Sequence, residues 1–342
     1  MTRFADPAAF AAALAALPAA DEASRTAALN RQARLTKPTG ALGRLEEIAV
    51  FMAGWQQCER PTADPVQAVV FAGNHGVTAQ GVSAYPPEVT GQMVANFQAG
   101  GAAINALTAA CGARLSVVAL DLDRPTGDIT REAAMSVEDC LDALNRGAAA
   151  LDGDTRLLLV GEMGIGNTTP AAALCAAVLG GPAEDWIGRG TGIDDHGLSR
   201  KAAAVEAAVA LHSGAATDAF ETLRLLGGRE IAAMAGAILA ARLARVPVLL
   251  DGFIASAAIL PLQRESPRFT DHCIAAHCSA EAGHARLLNA LELEPLLHLG
   301  LRLGEGTGAA LAVPIVRGAL ATHNGMATFD EAAVSNRGSA TA

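Results

Sequence analysis

Two glutamates in this chain stand between glycines, in a pattern that suits acid–base chemistry. One lies in the segment 161–170, Gly-Glu-Met-Gly-Ile-Gly-Asn-Thr-Thr-Pro, and the other in 303–310, Leu-Gly-Glu-Gly-Thr-Gly-Ala-Ala. Glycines permit positive φ and let a ligand approach the backbone closely. No Lys or Arg directly adjoins either glutamate. We therefore predict that Glu305 is a general base and that the first loop helps to form a pocket for a phosphorylated sugar.

Two glycine-rich stretches have the composition of anion-binding loops. Gly164-Ile165-Gly166-Asn167-Thr168-Thr169 follows a predicted strand and opens a predicted helix, whose free N–H groups can bind a phosphate. It is a partial dinucleotide fingerprint, because Thr169 replaces the last glycine. The alternative is a plain strand-to-helix turn.

The second stretch, 188–192, contains Gly190 and Gly192 and precedes a helix that carries Lys201, one of only two lysines in the chain. Lys201 has the reach to supply a positive charge to a phosphate at this loop. The alternative is a surface loop without a ligand.

Short β-branched runs alternate with helical patterns along most of the chain. Apolar runs of this kind are typical of strands buried on both faces of a parallel sheet, so we predict an α/β fold. Ligands of such sheets lie at the carboxyl ends of the strands. The predicted strands are 66–72, 115–120, 157–160, 246–250 and 273–277, and the predicted helices between them are 88–110, 137–150, 169–179, 199–212 and 229–243.

Both ends of the chain look helical and free of strands. An apolar helical period covers 41–57, and a further helix is predicted over 307–320. We predict a small helical domain from residues 1–60 together with 310–342, and a Rossmann-like domain over 61–309 that carries the active site. The tail 335–342 is predicted to be mobile.

Bulk composition excludes several classes of protein. The 342 residues carry a formal net charge of −10, which disfavours nucleic acid as a partner. Asp6 and Pro7 favour a helix start over a signal peptide, and no uncharged apolar run has the ~20 residues that span a bilayer. We therefore predict a cytoplasmic protein that does not bind membranes.

Histidines and cysteines cluster near residue 275 in a way that invites a metal interpretation. His272-Cys273 and His277-Cys278 recur with a spacing of five, and His284 follows. This spacing fits neither one helix face nor the usual Cys-x-x-Cys hook. We predict no metal site and no cofactor, and interpret these residues as buried strand and pocket residues.

Taken together, several segments resemble the nicotinate-nucleotide:dimethylbenzimidazole phosphoribosyltransferase family, which assembles the lower ligand of cobalamin. Any single segment is weak, but their order and spacing from about residue 35 to 326 are highly specific. They are Leu-Thr-Lys-Pro-Thr-Gly-Ala-Leu-Gly-Arg-Leu-Glu at 35–46, Asn-His-Gly-Val at 74–77, the loop 161–170, Val-Leu-Leu-Asp-Gly-Phe at 248–253, His-Cys-Ser-Ala-Glu at 277–281 and the segment 302–310.

The resemblance implies a function, a fold and a set of site residues. It implies transfer of the 5-phosphoribosyl group of nicotinate mononucleotide to 5,6-dimethylbenzimidazole, with a Rossmann-like sheet, a helical bundle from both termini and a homodimer. Glu305 would match the catalytic glutamate. The nucleotide would contact Glu162, Gly164, Ile165, Asn167, Thr168, Gly190, Gly192 and Lys201, and the base pocket would be lined by Tyr85, Pro86, Met93 and Leu303.

This chain departs from the family at three of these places. The family often has Asp where this chain has Asn74, which removes a charge. Relatives can carry smaller or more polar residues at the positions of Tyr85 and Met93. These two positions bear on which base is accepted, since some relatives take adenine or phenolic compounds.

Two other functions are compatible with parts of the sequence. A nicotinamide-dependent oxidoreductase would use the Gly164 loop and an acidic residue about 20 positions further on, where Glu184 and Asp185 stand. That interpretation leaves Glu305 without a role. A non-catalytic nucleotide sensor would bind ligand without turnover and would tolerate Glu305→Gln.

Overall fold

The chain folds around one five-stranded sheet. The computed structural model describes residues 2–190 and 192–335. The strands are β1 (Val66–Ala72), β2 (Arg114–Ala119), β3 (Leu157–Met163), β4 (Val248–Leu250) and β5 (Cys273–Ala275). All neighbouring pairs are parallel, in the order β2-β1-β3-β4-β5. The predicted parallel α/β fold is confirmed.

Thirteen α-helices are present in the described residues, and they cover both faces of the sheet. Their bounds are α1 (Pro7–Ala15), α2 (Glu22–Arg34), α3 (Arg44–Gln56), α4 (Glu88–Gln98), α5 (Ala103–Cys111), α6 (Val137–Ala149), α7 (Thr168–Leu179), α8 (Asp195–His212), α9 (Ala219–Leu226), α10 (Arg229–Leu243), α11 (Phe253–Glu265), α12 (His284–Ala290) and α13 (Thr307–Gly325).

Alternate residues of the central strands enter two different hydrophobic cores. In β3, Leu158 and Val160 join the core formed with α7, α10 and α11, while Leu157 and Leu159 join the core formed with α3, α5 and α13. Side chains of a strand point alternately to its two faces, so a strand covered on both sides must be apolar throughout. This explains why the strands appear in the sequence as continuous apolar runs.

One predicted helix is wrong in the structure. Residues 88–110 form two helices, α4 and α5, instead of one. Gly100 has a φ of +80° between them, which a continuous α-helix cannot contain. Three helices, α9, α11 and α12, were not predicted. Among the described residues no helix has both the length and the apolar character needed to span a membrane.

The two ends of the chain are tied together by buried polar contacts. Arg31 of α2 donates to the carbonyls of His323 (2.8 Å) and Met326 (3.0 Å) at the end of α13. Gln32 bonds the His323 ring at 2.9 Å. Because α13 also packs on the sheet, its buried apolar side chains belong to the same hydrophobic core as residues of β1 and β3. The division into two domains stays a prediction, and the tail from residue 336 lies outside the described residues.

Candidate active site

A cleft opens at the carboxyl ends of β3 and β4, next to the point where the strand order reverses between β1 and β3. Crevices of this kind are where open α/β sheets bind ligands. The residues that line it are Val82, Ser83, Glu162, Met163, Gly164, Ile165, Gly166, Asn167, Thr168, Gly190, Lys201, Asp251, Gly252, Phe253, Ile254, Ala255, His277, Ser279, Glu281, Arg302, Leu303 and Gly304.

The first glycine loop joins β3 to α7 along one wall of this cleft. Gly166 has a φ of +88°, and the backbone N–H of Ile165 donates to Thr90 Oγ1 at 3.1 Å. Asn167, just before α7, donates from its side-chain amide to Glu162. The loop thus presents the N-terminus of a twelve-residue helix to the cleft. That end of a helix favours an anion.

Glu162 is a buried carboxyl group that keeps its proton at neutral pH. Its residue is 7% exposed, and burial raises its pKa to about 8. The hydrogen bond from Asn167 favours the charged form, but the nearby carboxyl groups of Glu230, Asp251 and Glu305 oppose it. The surroundings of Glu162 in the cleft therefore favour its neutral form.

The basic end of the cleft is formed by Lys201 and the loop before α8. Lys201 Nζ donates to Thr168 Oγ1 (3.0 Å) and to the Gly188 carbonyl (3.1 Å). Gly190 lies so close that a Cβ there would be 3.4 Å from Nζ. Burial lowers the pKa of Lys201 to about 8, and the nearby Glu281 partly offsets this. An anion would satisfy the third N–H of this ammonium.

Glu305 occupies a left-handed turn directly before α13. Its φ is +64°, between Gly304 (+80°) and Gly306 (+84°). The residue is 4% exposed, and its Oε2 has no hydrogen-bond partner within the described part of the chain. Burial raises its pKa, while the backbone of Ile104 favours the charged form. No ion pair with Glu305 occurs among the described residues. An unpaired buried carboxylate is a strong proton acceptor.

Most residues that were predicted to contact the nucleotide line this cleft, whereas most of those predicted to contact the base do not. Glu162, Gly164, Ile165, Asn167, Thr168, Gly190, Lys201 and Leu303 line it. Tyr85 and Pro86 lie in an exposed segment before α4, Met93 packs partly buried against the core, and Gly192 lies beyond the cleft lining. Glu305 itself lies beside the cleft, next to Gly304, and its carbonyl contacts Gly161.

Cleft residues that were not assigned to the site from the sequence include Asp251, Ser279, Glu281 and Arg302, and His277 was predicted only as a buried strand or pocket residue. Asp251 directly follows β4, and His277 lies two residues beyond β5. Their position after apolar strands was a usable signal. Arg302 was not foreseeable in this way, because it reaches the site from a coil segment and donates to the Gly190 carbonyl at 3.0 Å.

Other sequence features have structural roles. His284 receives a hydrogen bond at Nδ1 from the Ser279 backbone (2.8 Å) and lies within 3.2 Å of Ser256 Oγ through Nε2. Within residues 2–190 and 192–335, no three His, Cys, Asp or Glu side chains are grouped as metal ligands. A dinucleotide ribose would need an acidic residue near the Gly164 loop. Asp185 instead pairs with Arg286 beyond the far end of α7, away from that loop.

Fold and site together define an α/β protein whose cleft lies at a sheet switch point and combines a basic end with buried carboxyl groups. A family model described as phosphoribosyltransferase matches residues 17–334. The chain belongs to this family.

Two relatives of this chain share the same named activity. A nicotinate-nucleotide–dimethylbenzimidazole phosphoribosyltransferase of Novosphingobium aromaticivorans is 60% identical over 336 residues, covering 98% of this chain and 99% of that protein. The protein of that name from Ruegeria sp. TM1040 is 59% identical, covering 96% and 97%. A crystal structure of CobT from Thermus thermophilus matches with a TM-score of 0.86 and 42% identity, covering 92% of this chain and 100% of that one.

Proposed function

We propose that the protein transfers the 5-phosphoribosyl group of nicotinate mononucleotide to 5,6-dimethylbenzimidazole. The products would be nicotinate and alpha-ribazole 5′-phosphate, a precursor of the cobalamin nucleotide loop. Support comes from the activity for which two relatives are named, both of which align over almost the whole chain. The cytoplasm is the proposed compartment.

The phosphate of the nucleotide would lie at the basic end of the cleft. Lys201 and the exposed Arg302 supply positive charge there, and the start of α7 adds the backbone N–H of Thr168. The glycine at 190 leaves room for phosphate oxygens to approach the backbone. Glu162 and Asn167, which are bonded to each other, would contact the ribose. Gly192 is proposed as part of the same loop.

The transfer exchanges one N-glycosidic bond for another. The bond from C1 of the ribose to the pyridinium nitrogen breaks, and its electron pair discharges that nitrogen as nicotinate leaves. The lone-pair nitrogen of the benzimidazole attacks C1 from the opposite face, which inverts the carbon and gives the α-riboside. The new ring carries a surplus proton on its other nitrogen, and Glu305 accepts it.

The base would bind between the nucleotide and the mouth of the cleft. Tyr85, Pro86, Met93 and Leu303 are the proposed contacts. Tyr85 and Leu303 are 53% and 57% exposed. We propose that a homodimer covers this apolar surface. Sedimentation of the purified protein as a monomer at micromolar concentration would refute that part.

The observation that carries the proposal is the buried carboxyl group of Glu305, whose Oε2 has no hydrogen-bond partner within the described residues, beside a cleft with a basic end. The test is incubation with nicotinate mononucleotide and a panel of bases, followed by mass spectrometry. We expect free nicotinate and an azole riboside phosphate only where an azole is present. Equal release of nicotinate without any base would indicate a hydrolase and contradict the proposal.

A further inference from the structure

Helix α13 begins without a capping side chain of its own. Its N-cap residue is Gly306, which has no side chain to accept from the first-turn N–H groups. Those groups bond to a residue from another part of the fold instead. The N–H of Gly306 donates to Asp251 Oδ2 at 3.1 Å, and the N–H of Ala309 donates to Asp251 Oδ1 at 2.9 Å. Asp251, 2% exposed, therefore caps α13 from the end of β4.

The residue before this cap is Glu305, which has an uncommon backbone conformation. Three consecutive residues, 304–306, have left-handed φ values between +64° and +84°. For a residue with a Cβ this conformation is strained and persists only where its surroundings enforce it. Thr307 Oγ1 donates to the Gly304 carbonyl at 2.8 Å, which closes the turn from within. On the side of the sheet, the turn is held by the hydrogen bond to Asp251 and by the contact with Gly161.

Asp251 itself is held in place by its neighbours. His277 Nε2 lies 3.6 Å from Asp251 Oδ1, and both side chains are 3% exposed. The His277 ring fills the space that a Cβ at Gly308 would need, so α13 is packed directly against it. The position of the helix start is therefore set by β4 and β5, through Asp251 and His277.

We propose that Asp251 is a positioning residue that holds the Glu305 carboxylate at the reacting base. It acts through the backbone of residues 306–309 and has no proton-transfer role of its own. This rests on the proposed role of Glu305. Because Asp251 also lines the cleft, direct contact with the nucleotide is the competing explanation, and the test must separate the two.

The test is a double-mutant cycle with steady-state kinetics. Asp251→Asn keeps the shape of the side chain but replaces one of the two acceptor oxygens with an NH₂ group. That group faces an N–H donor and cannot accept its hydrogen bond. We expect its kcat to fall about 10- to 100-fold, with the KM for nicotinate mononucleotide within about twofold of wild type. In a Glu305→Gln background the same substitution should lower kcat less than about threefold, because the group it positions is already inactive. A full effect in that background, or a raised nucleotide KM, would overturn the proposal.

Hydrogen exchange provides a second readout that does not depend on catalysis. In Asp251→Asn, amides of residues 306–309 should lose protection while those of β3 keep it. Unchanged protection would refute the role of Asp251 as a cap. If Glu305→Gln were fully active, the role of Glu305 as general base would be refuted. Hydrogen exchange would still decide whether Asp251 holds the turn.

Discussion

Glu162 and Glu305 both follow a glycine in a glycine-rich segment, yet the folded chain gives them very different surroundings. Glu162 lies at the end of a regular strand, bonds to Asn167 and lines the cleft. Glu305 lies in a left-handed turn, and its Oε2 has no partner in the described residues. Burial raises the pKa of both carboxyl groups. Hydrogen-bond partners and backbone conformation, more than burial, therefore distinguish the two carboxyl groups, and the proposed general base is the one without a partner at Oε2 in the described residues.

The largest effect is expected for Glu305→Gln. The substitution keeps the size of the side chain and removes the proton acceptor, so kcat should fall by about 10²–10⁴-fold. The melting temperature should stay within a few degrees, because no ion pair with Glu305 is lost among the described residues. A kcat within about tenfold of wild type would remove Glu305 from the mechanism and abolish the contrast with Glu162.

A smaller effect, on binding, is expected at the basic end of the cleft. Lys201→Met should raise the KM for nicotinate mononucleotide about 10- to 100-fold, the cost of a lost charge-assisted hydrogen bond of ~1.5–3 kcal/mol. Arg200→Met is the matched control, since that exposed neighbour bonds only the Gly81 carbonyl among the described residues. If both variants show the same KM, Lys201 does not bind the phosphate.

The smallest effect is a pH dependence of stability at Glu162. Its pKa is raised to about 8 in the folded state, so the folded protein holds a proton that the unfolded chain has released. The stabilisation is complete below about pH 4.5 and is lost as pH rises from there through 8. Glu162→Gln should flatten this loss in denaturant titrations of the ligand-free protein from pH 5 to 8.5.

The exposed Glu206 gives the control, because Glu206→Gln should leave the slope as in wild type. A Glu162→Gln variant that loses stability with pH as steeply as wild type would show that Glu162 is ionised in the folded state. The two glutamates would then differ less than their surroundings indicate.

The sheet and one catalytic candidate were predictable from sequence because their signals are local. β1 and β3 are buried almost throughout and mainly apolar because both faces are covered, and Glu305 is conspicuous between glycines. The break between α4 and α5 was also marked, by Gly100 and Gly101, but the apolar period on either side obscured it.

The parts that escaped prediction depend on tertiary contacts. Asp251 caps a helix that begins only at Thr307, and no local pattern links the two. The hydrogen bonds of Lys201 in α8 to Thr168 in α7 and to the Gly188 carbonyl likewise join residues far apart in the sequence. The base contacts Tyr85, Pro86, Met93 and Leu303 stay a prediction, because they rest on the resemblance to the family.

The most direct test of proton acceptance by Glu305 is the ratio of kcat/KM for the base between wild type and Glu305→Gln, measured from pH 4 to 8. Protonation of the benzimidazole substrate affects both enzymes equally, so it cancels in the ratio. We predict a ratio that rises about tenfold per pH unit and levels off above the raised pKa of Glu305. A ratio that stays constant across this range would contradict the role of Glu305 as the general base.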